Sequence, residues 1–268
     1  MNAGRIKELT LFDFSHSLTS LKGLVFIIPY LFFWYLVFNF ISPNAIQWLQ
    51  SPQGLMFASW LLRDQELVLK LFIDRSANLS MYMLIAVAFT PMFMMLAAHN
   101  AYSSDASRGA FRFILTRTTR LELFLARFLS VLILVCLCSA LTLAWAVFQA
   151  YLHDEDSAYR LGLLTIQTYL LLIVYSLPFI AFMAMISAST RSGLGTLLLG
   201  AFIYISLLLF GYGLSPEIEI GKYLLPGAIK SRLFDFSMES LPLSITMLAS
   251  YTLVYMTAAW FIFQRRDM

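Results

Sequence analysis

Cysteine and charge are both scarce in this sequence. Only two of its 268 residues are cysteines, Cys136 and Cys138, and both lie in one apolar run at positions that point in different directions on a helix. We therefore expect neither a disulfide nor a metal site from them. Charged residues make up 12% of the chain, whereas hydrophobic residues make up 60%. This balance excludes an ordinary soluble domain and predicts a membrane protein.

Motifs for nucleotide hydrolysis and for metal catalysis are also missing. The chain has no GxxxxGK[ST] phosphate-binding loop, and its one Gly-Lys pair, Gly221-Lys222, is followed by tyrosine. It has no HExxH motif, and His16, His99 and His153 are far apart in the sequence. We therefore predict that this chain is not itself an enzyme, with no catalytic residues, no metal site and no cofactor of its own.

Six charge-free segments are each long enough to cross the hydrocarbon core of a bilayer, which needs about 20 helical residues. They are 23–41, 79–98, 128–151, 161–188, 193–214 and 243–263. Because backbone groups in hydrocarbon must be satisfied within each segment, these runs are predicted to be helices. The sequence predicts an all-α, polytopic protein with one transmembrane domain over 1–268. Since no span carries a central charge, a carrier driven by protons or sodium is disfavoured.

Positive residues are spread unequally over the two sides that these spans define. The side with both termini has eleven Lys and Arg residues against five Asp and Glu, while the other side has seven basic and ten acidic residues. By the positive-inside rule, both termini are predicted to be cytoplasmic, with 1–22 as an interfacial segment. The net charge of +3 is too small to indicate a nucleic-acid partner.

The connection between the second and third spans is unusually basic. The stretch SSDASRGAFRFILTRTTRLELFLARF, residues 103–128, contains five arginines and two acidic residues. Within it, Thr119 and Glu122 have the spacing of a capping box, in which each residue's side chain binds the backbone N–H of the other. This pattern predicts that the third membrane helix begins here, with Thr119 as its N-cap.

A short amphipathic helix is predicted upstream of this cap, from an N-cap at Asp105 to about Thr116. Its apolar residues share one face, and two arginines stand four positions apart on an adjoining face. These residues are Phe111, Ile114 and Leu115, with Arg108 and Arg112. Such a surface suits lipid headgroups or a groove on a partner protein, and a pure topology signal is the simpler alternative.

A second amphipathic helix is predicted on the outer side, between the first and second spans. It begins at Ser51-Pro52, a favourable N-cap followed by proline, and runs to about Arg75. Charged residues line one stripe and apolar residues the opposite one. The charged residues are Arg63, Glu66, Lys70 and Asp74, and the apolar residues are Phe57, Leu61, Val68 and Phe72. This helix would lie on the membrane, dock a partner or cap the bundle.

The order of motifs around the basic connection resembles type-2 permeases of ATP-binding-cassette transporters. An acid after the second span is followed by Arg-Gly-Ala-Phe-Arg-Phe-Ile-Leu, then Thr-Arg-Thr-Thr-Arg, then Leu-Phe-Leu-Ala-Arg-Phe entering the third span. The positions that match the family pattern are Asp105, Gly109, Ala110, Leu115, Arg120 and Arg127. The segment Ser187–Ser192 and the ending Phe263–Met268 agree with it, whereas Arg117 and Arg127 depart from the commoner residues.

This resemblance implies a transmembrane subunit that couples ATP hydrolysis by a separate ATPase to substrate movement across the bacterial inner membrane. Two copies of the ATPase would bind ATP and magnesium, and a second membrane subunit would complete a dimer, expected to be a homodimer. The implied interfacial residues are Arg5, Lys7 and Glu8. The implied ATPase-coupling residues are Asp105, Arg108, Gly109, Phe111, Arg112, Ile114, Leu115, Arg117 and Arg120.

A different function remains open for the same complex. The chain resembles the permease of nitrous-oxide reductase maturation, which implies a mechanotransmission subunit that remodels a periplasmic partner instead of moving a cargo. The outer helix near Trp60 fits this alternative. A neighbouring gene for a periplasmic repeat protein would favour it, and a neighbouring ATPase gene would exclude a stand-alone carrier.

Overall fold

The computed structural model describes residues 2–40, 44, 47, 51–62, 76–103, 118–153, 158–211, 223, 225–234 and 240–266. Within these ranges every regular element is helical and none is a strand, which confirms the predicted all-α class. In chain order the elements are α1 (Ala3–Thr19), α2 (Leu21–Phe40), α3 (Pro52–Leu62), α4 (Ala77–Ala98), α5 (Arg120–His153), α6 (Ala158–Ser189), α7 (Gly193–Leu209), a 3-10 helix (Pro226–Ile229), α8 (Lys230–Phe234) and α9 (Ser240–Arg265).

Five of the described helices are long and apolar enough to cross a membrane. Their apolar segments are Gly23–Phe40, Ala77–Ala98, Arg120–Leu152, Tyr159–Ser189 and Ser240–Arg265. The chain is therefore a multi-pass membrane protein by the length and composition of its helices. The sixth predicted span coincides with α7, whose 17 residues extend about 26 Å, short of the ~30 Å hydrocarbon core. The count of six spans is thus not confirmed.

The core of the bundle lies along α4 and α6, which are the most buried of the long helices. A polar site sits inside it, where the Tyr30 and Tyr82 hydroxyl oxygens each lie 3.1 Å from the Thr142 hydroxyl oxygen. The Tyr82 hydroxyl also donates to the Ser139 carbonyl at 3.3 Å. Because apolar lipid gives little driving force for helix association, such bonds help to set the register of α2, α4 and α5.

The outer helix matches its prediction only in part. As predicted, α3 begins after Ser51, whose hydroxyl accepts a bond from the Gly54 N–H at 3.0 Å. Phe57 is half-buried and packs on the core, as expected for the apolar stripe. The predicted charged stripe and the residues Val68 and Phe72 belong to 63–75, outside the described residues.

Candidate functional site

One end of the bundle gathers α1, residues 99–103, the start of α5, residues 188–193 and residues 263–266, and is called the basic end here. Its described cations include Arg5, Arg120, Arg127, Arg191 and Arg266. These residues fall on the side that the charge count assigned to the cytoplasm. Ser103 and Thr118, the described residues on either side of the segment 104–117, both lie at this end.

The start of α5 is the capping box that the sequence predicts. The Thr119 hydroxyl accepts from the Glu122 N–H at 3.3 Å, and Glu122 Oε2 accepts from the Thr119 N–H at 3.1 Å. Glu122 is only 2% exposed. Its other oxygen, Oε1, accepts from the Asn2 N–H at 2.7 Å, and Asn2 is the N-cap of α1. One carboxylate therefore joins the N-termini of two helices, where the helix dipoles favour negative charge.

Removing this cap should loosen the first turn of α5. Thr119→Ala deletes the acceptor of the Glu122 N–H, and loss of such an N-cap costs about 1 kcal/mol. We expect the Glu122 amide to exchange with deuterium about fivefold faster than in the parent protein. Thr257→Ala is the control, because that exposed hydroxyl bonds only to carbonyls of its own helix. Equal exchange in both variants would contradict the predicted role of Thr119.

An ion pair fastens α1 to the side of α5. Asp13 Oδ1 lies 2.9 Å from an Arg127 guanidinium nitrogen, and the two side chains are 7% and 19% exposed. One turn earlier, the buried Thr10 hydroxyl donates to the Ile6 carbonyl at 2.7 Å and approaches the Ala126 carbonyl at 3.5 Å. Sequence reasoning missed this pair, since nothing local connects residues more than a hundred positions apart.

Ser187 of α6 anchors the chain where it enters the segment 104–117. Its hydroxyl accepts from the N–H groups of Tyr102 and Ser103 at 3.0 and 3.1 Å, and it lies 3.3 Å from the His99 carbonyl, to which it donates. The Tyr102 hydroxyl donates to the Phe124 carbonyl at 2.8 Å. The Tyr102 ring is fully buried and packs against the rings of Phe124 and Phe263. Three helices, α5, α6 and α9, thus hold the start of this segment.

Two arginines donate hydrogen bonds to backbone carbonyls at the C-terminal ends of α6 and α9. Arg120 donates to the carbonyls of Gln264 and, at 3.5 Å, Arg266. Arg266 in turn donates to the carbonyls of Ala188 at 2.8 Å and Thr190 at 2.6 Å. Burial, and then the nearby positive charge of Arg191, lower the pKa of the Arg266 guanidinium. A cation at a helix C-terminus satisfies carbonyls that lack a partner within the helix.

The predicted site residues divide into two groups. Asp105, Arg108, Gly109, Phe111, Arg112, Ile114, Leu115 and Arg117 lie outside the described residues, together with the rest of the predicted amphipathic helix. Arg120 is described and holds the end of α9, and its role in coupling stays a prediction. The predicted interfacial residues Arg5, Lys7 and Glu8 are exposed on α1, whereas Thr10 and Asp13 of the same helix are buried. Two large apolar side chains, Leu11 and Phe12, are exposed beside them.

A small polar cavity of about 90 Å³ lies beside the ion pair. Asp13, His16, His99 and Arg127 line it, so two histidines that are distant in the sequence are brought together. The His99 Nδ1 lies 2.7 Å from the Leu96 carbonyl oxygen, and its Nε2 lies 2.6 Å from the Asn100 amide nitrogen. Within the described ranges, no three His, Cys, Asp or Glu residues are arranged to hold a metal ion.

The comparison with protein families identifies the chain over most of its length. Residues 67–268 match the model of DUF2705, described as a protein of unknown function. The chain belongs to this family. The DUF2705 match contains Arg127 and Glu122, whereas their partners Asp13 and Asn2 on α1 lie before it. A comparison with curated proteins found no match.

Proposed function

We propose that the chain is the transmembrane permease subunit of an ATP-driven transporter of the type-2 ATP-binding-cassette class. The proposal also includes six spans, a location in the bacterial inner membrane and both termini in the cytoplasm. Two such subunits, as a homodimer, work with two ATPase subunits that bind ATP and magnesium. The segment 104–117 is the contact through which ATPase closure moves the membrane helices.

The anchoring of both ends of this segment carries the proposal. Ser103 is bound to Ser187 of α6, and Thr118 leads directly into the capping box of α5. Because the residues at both of its ends are bound to α5 or α6, a movement of the segment would also move these two helices. Packed helices joined by hydrogen bonds are the kind of element that carries rigid-body motion.

The charge of the basic end supports an acidic partner on the same side. Arg108, Arg112 and Arg117 belong to the segment, and the exposed Arg5 and Lys7 lie on α1 at the same end. Arginines favour bidentate pairs with carboxylates, and apolar anchors such as Phe111 supply most of the binding energy at protein interfaces. The exposed Phe12 on α1 adds an apolar contact near these cations.

Two substitutions on the segment test the contact. Phe111→Ala with Arg112→Glu removes an apolar anchor and reverses a charge, so we expect about tenfold less ATPase subunit to purify with the tagged chain. The measurement is the amount of ATPase subunit, and the ATP hydrolysis rate, in the purified sample. Arg160→Glu makes the same charge change on an exposed residue at the opposite end of α6 and should leave recovery unchanged.

Unchanged recovery of the ATPase with the double variant would refute the proposed contact. The side of the membrane is tested separately with Ser107→Cys, a thiol within the segment. A membrane-impermeant maleimide should label this cysteine in inverted vesicles and leave it unlabelled in intact cells. Labelling in intact cells would place the segment outside, where no ATPase could reach it.

A further inference from the structure

A small cavity lies inside the bundle, where α2, α4, α5 and α6 meet. Its volume is about 30 Å³, which is enough for one or two water molecules and far too small for a drug-sized ligand. Its polar lining residues are Tyr30, Trp34, Tyr82, Thr90, Ser139 and Ser176. Trp34 lies about 16 Å along the apolar segment that begins at Gly23, so the cavity is near the middle of a ~30 Å hydrocarbon core.

The indole N–H of Trp34 decides what this cavity can hold. Trp34 is only 2% exposed, and its Nε1 atom has no hydrogen-bond acceptor among the described residues. The Tyr30 hydroxyl is close to this N–H, but the two groups are not in hydrogen-bond geometry. A buried N–H without an acceptor is destabilising, above all in hydrocarbon, where no solvent replaces the missing bond. The occupant of the cavity must therefore supply an acceptor.

The hydroxyl groups around the cavity supply acceptors, because their protons are already bound elsewhere. The hydroxyls of Thr90, Ser139 and Ser176 each donate to a backbone carbonyl of their own helix at 2.7 Å. The Thr142 hydroxyl also donates to carbonyls of its own helix, so it accepts the proton of Tyr30. A hydroxyl oxygen that has donated its proton keeps lone pairs with which it can accept another bond. The occupant therefore meets one N–H donor and several oxygen acceptors.

We propose that this cavity is a water-binding site, in which water accepts from Trp34 Nε1 and donates to the surrounding hydroxyl oxygens. Water fits because it is small, neutral and both a donor and an acceptor. A metal cation has no lone pair for the indole N–H, and an anion would face the lone pairs of the hydroxyl oxygens. This inference is independent of the proposed contact with an ATPase.

Water reaches this site from the basic end, because the polar cavity beside the ion pair and the inner cavity follow one another along the same helices. Phe26 of α2 lines both cavities. On α5, Leu134 lines the polar cavity and the next residue, Val135, lines the inner one. On α4, Ala97 and Met94 have the same relation and are one turn apart. Because Phe26 belongs to both walls and is only 1% exposed, water that moves between the cavities passes its ring.

NMR of the purified full-length protein in detergent, with isotope-labelled tryptophan indoles, tests the site without any ATPase or nucleotide. The variant Trp34→Phe assigns the Trp34 signal. We expect a rotating-frame Overhauser peak between this N–H and water, with the sign of direct contact and not of chemical exchange. Ala86→Leu fills the cavity and should abolish the peak, while the unfolding midpoint shows whether this variant is folded. Absence of the peak in the parent protein, or its persistence in folded Ala86→Leu, would overturn the proposal.

A matched pair of substitutions on α2 tests the route. Phe26→Leu removes a ring on the side of the basic end, and Phe38→Leu removes a ring on the other side of Trp34, 5.4 Å from the indole. We expect the Trp34 N–H to exchange with deuterium about tenfold faster in Phe26→Leu and at the parent rate in Phe38→Leu. Equal acceleration in both variants, or acceleration in Phe38→Leu alone, would refute entry past Phe26. If neither variant folds, the water peak of the parent protein still decides whether the site exists.

Discussion

Replacing Arg127 by methionine should detach α1 from the bundle and destabilise the protein by about 3 kcal/mol. The substitution removes the cation that lies 2.9 Å from Asp13, whose side chain is only 7% exposed. When a buried carboxylate loses the cation beside it, the protein loses far more stability than it does when a surface carboxylate loses its cation. We expect a lower midpoint of thermal unfolding in detergent and faster protease cleavage within α1.

A double variant that removes both charges shows whether the charge left on Asp13 causes the loss of stability. In the double variant Asp13→Leu with Arg127→Met, both charges are gone and apolar side chains take their place. Such a replacement is often neutral in buried ion pairs, so most of the lost stability should return. Lys7→Met is the control, since Lys7 is exposed on the same helix. A double variant as unstable as Arg127→Met alone would show that packing, and not charge, holds α1.

The sequence predicted those structural features that depend on residues close together in the chain. Thr119 and Glu122 are three positions apart, and their reciprocal bonds follow from helix geometry alone. The all-α class and the long apolar helices follow from hydrogen bonding in hydrocarbon. The gathering of basic residues at one end of the bundle follows from their excess in the segments on one side of the predicted spans.

The third span is predicted over a charge-free run, while the helix that contains it is predicted to begin at the Thr119 cap. The run begins at 128, and α5 begins at Arg120, as the cap predicts. The charged residues between these positions stay in the helix because the protein itself supplies their partners. Glu122 serves two helix N-termini, Arg127 pairs with Asp13, and Arg120 holds the end of α9. Only the tertiary arrangement of α1 and α9 reveals these partners.

A cavity of about 490 Å³ between α4, α7 and the 3-10 helix could also not be predicted from the sequence. Its lining comes from α3, α4, α6, α7 and the residues 225–230, and no periodic pattern relates them. Met92 and Met95 look like ordinary packing residues of a span.

Gly23→Ala should be the most damaging of the small substitutions, because α1 and α2 meet at this residue. The N–H groups of Gly23 and Leu24 both donate to the Ser20 carbonyl at 3.1 Å, which closes the elbow between the two helices. A Cβ atom at Gly23 would overlap the backbone carbonyl of Ser17, and a backbone atom cannot rotate away as a side chain can. The elbow must then open, at a cost of about 3 kcal/mol.

The matched control for this change is Gly162→Ala on α6, where an added Cβ would meet nothing within 4 Å. There the lower backbone entropy of alanine should stabilise the helix by about 0.5 to 1 kcal/mol. The same chemical change is thus expected to shift the unfolding midpoint downwards at Gly23 and slightly upwards at Gly162. Gly23→Ala should also weaken the Asp13–Arg127 contact, since an opened elbow moves α1 away from α5. Combining Gly23→Ala with Arg127→Met therefore tests this link, because effects that add in full would mean that the elbow does not position Asp13.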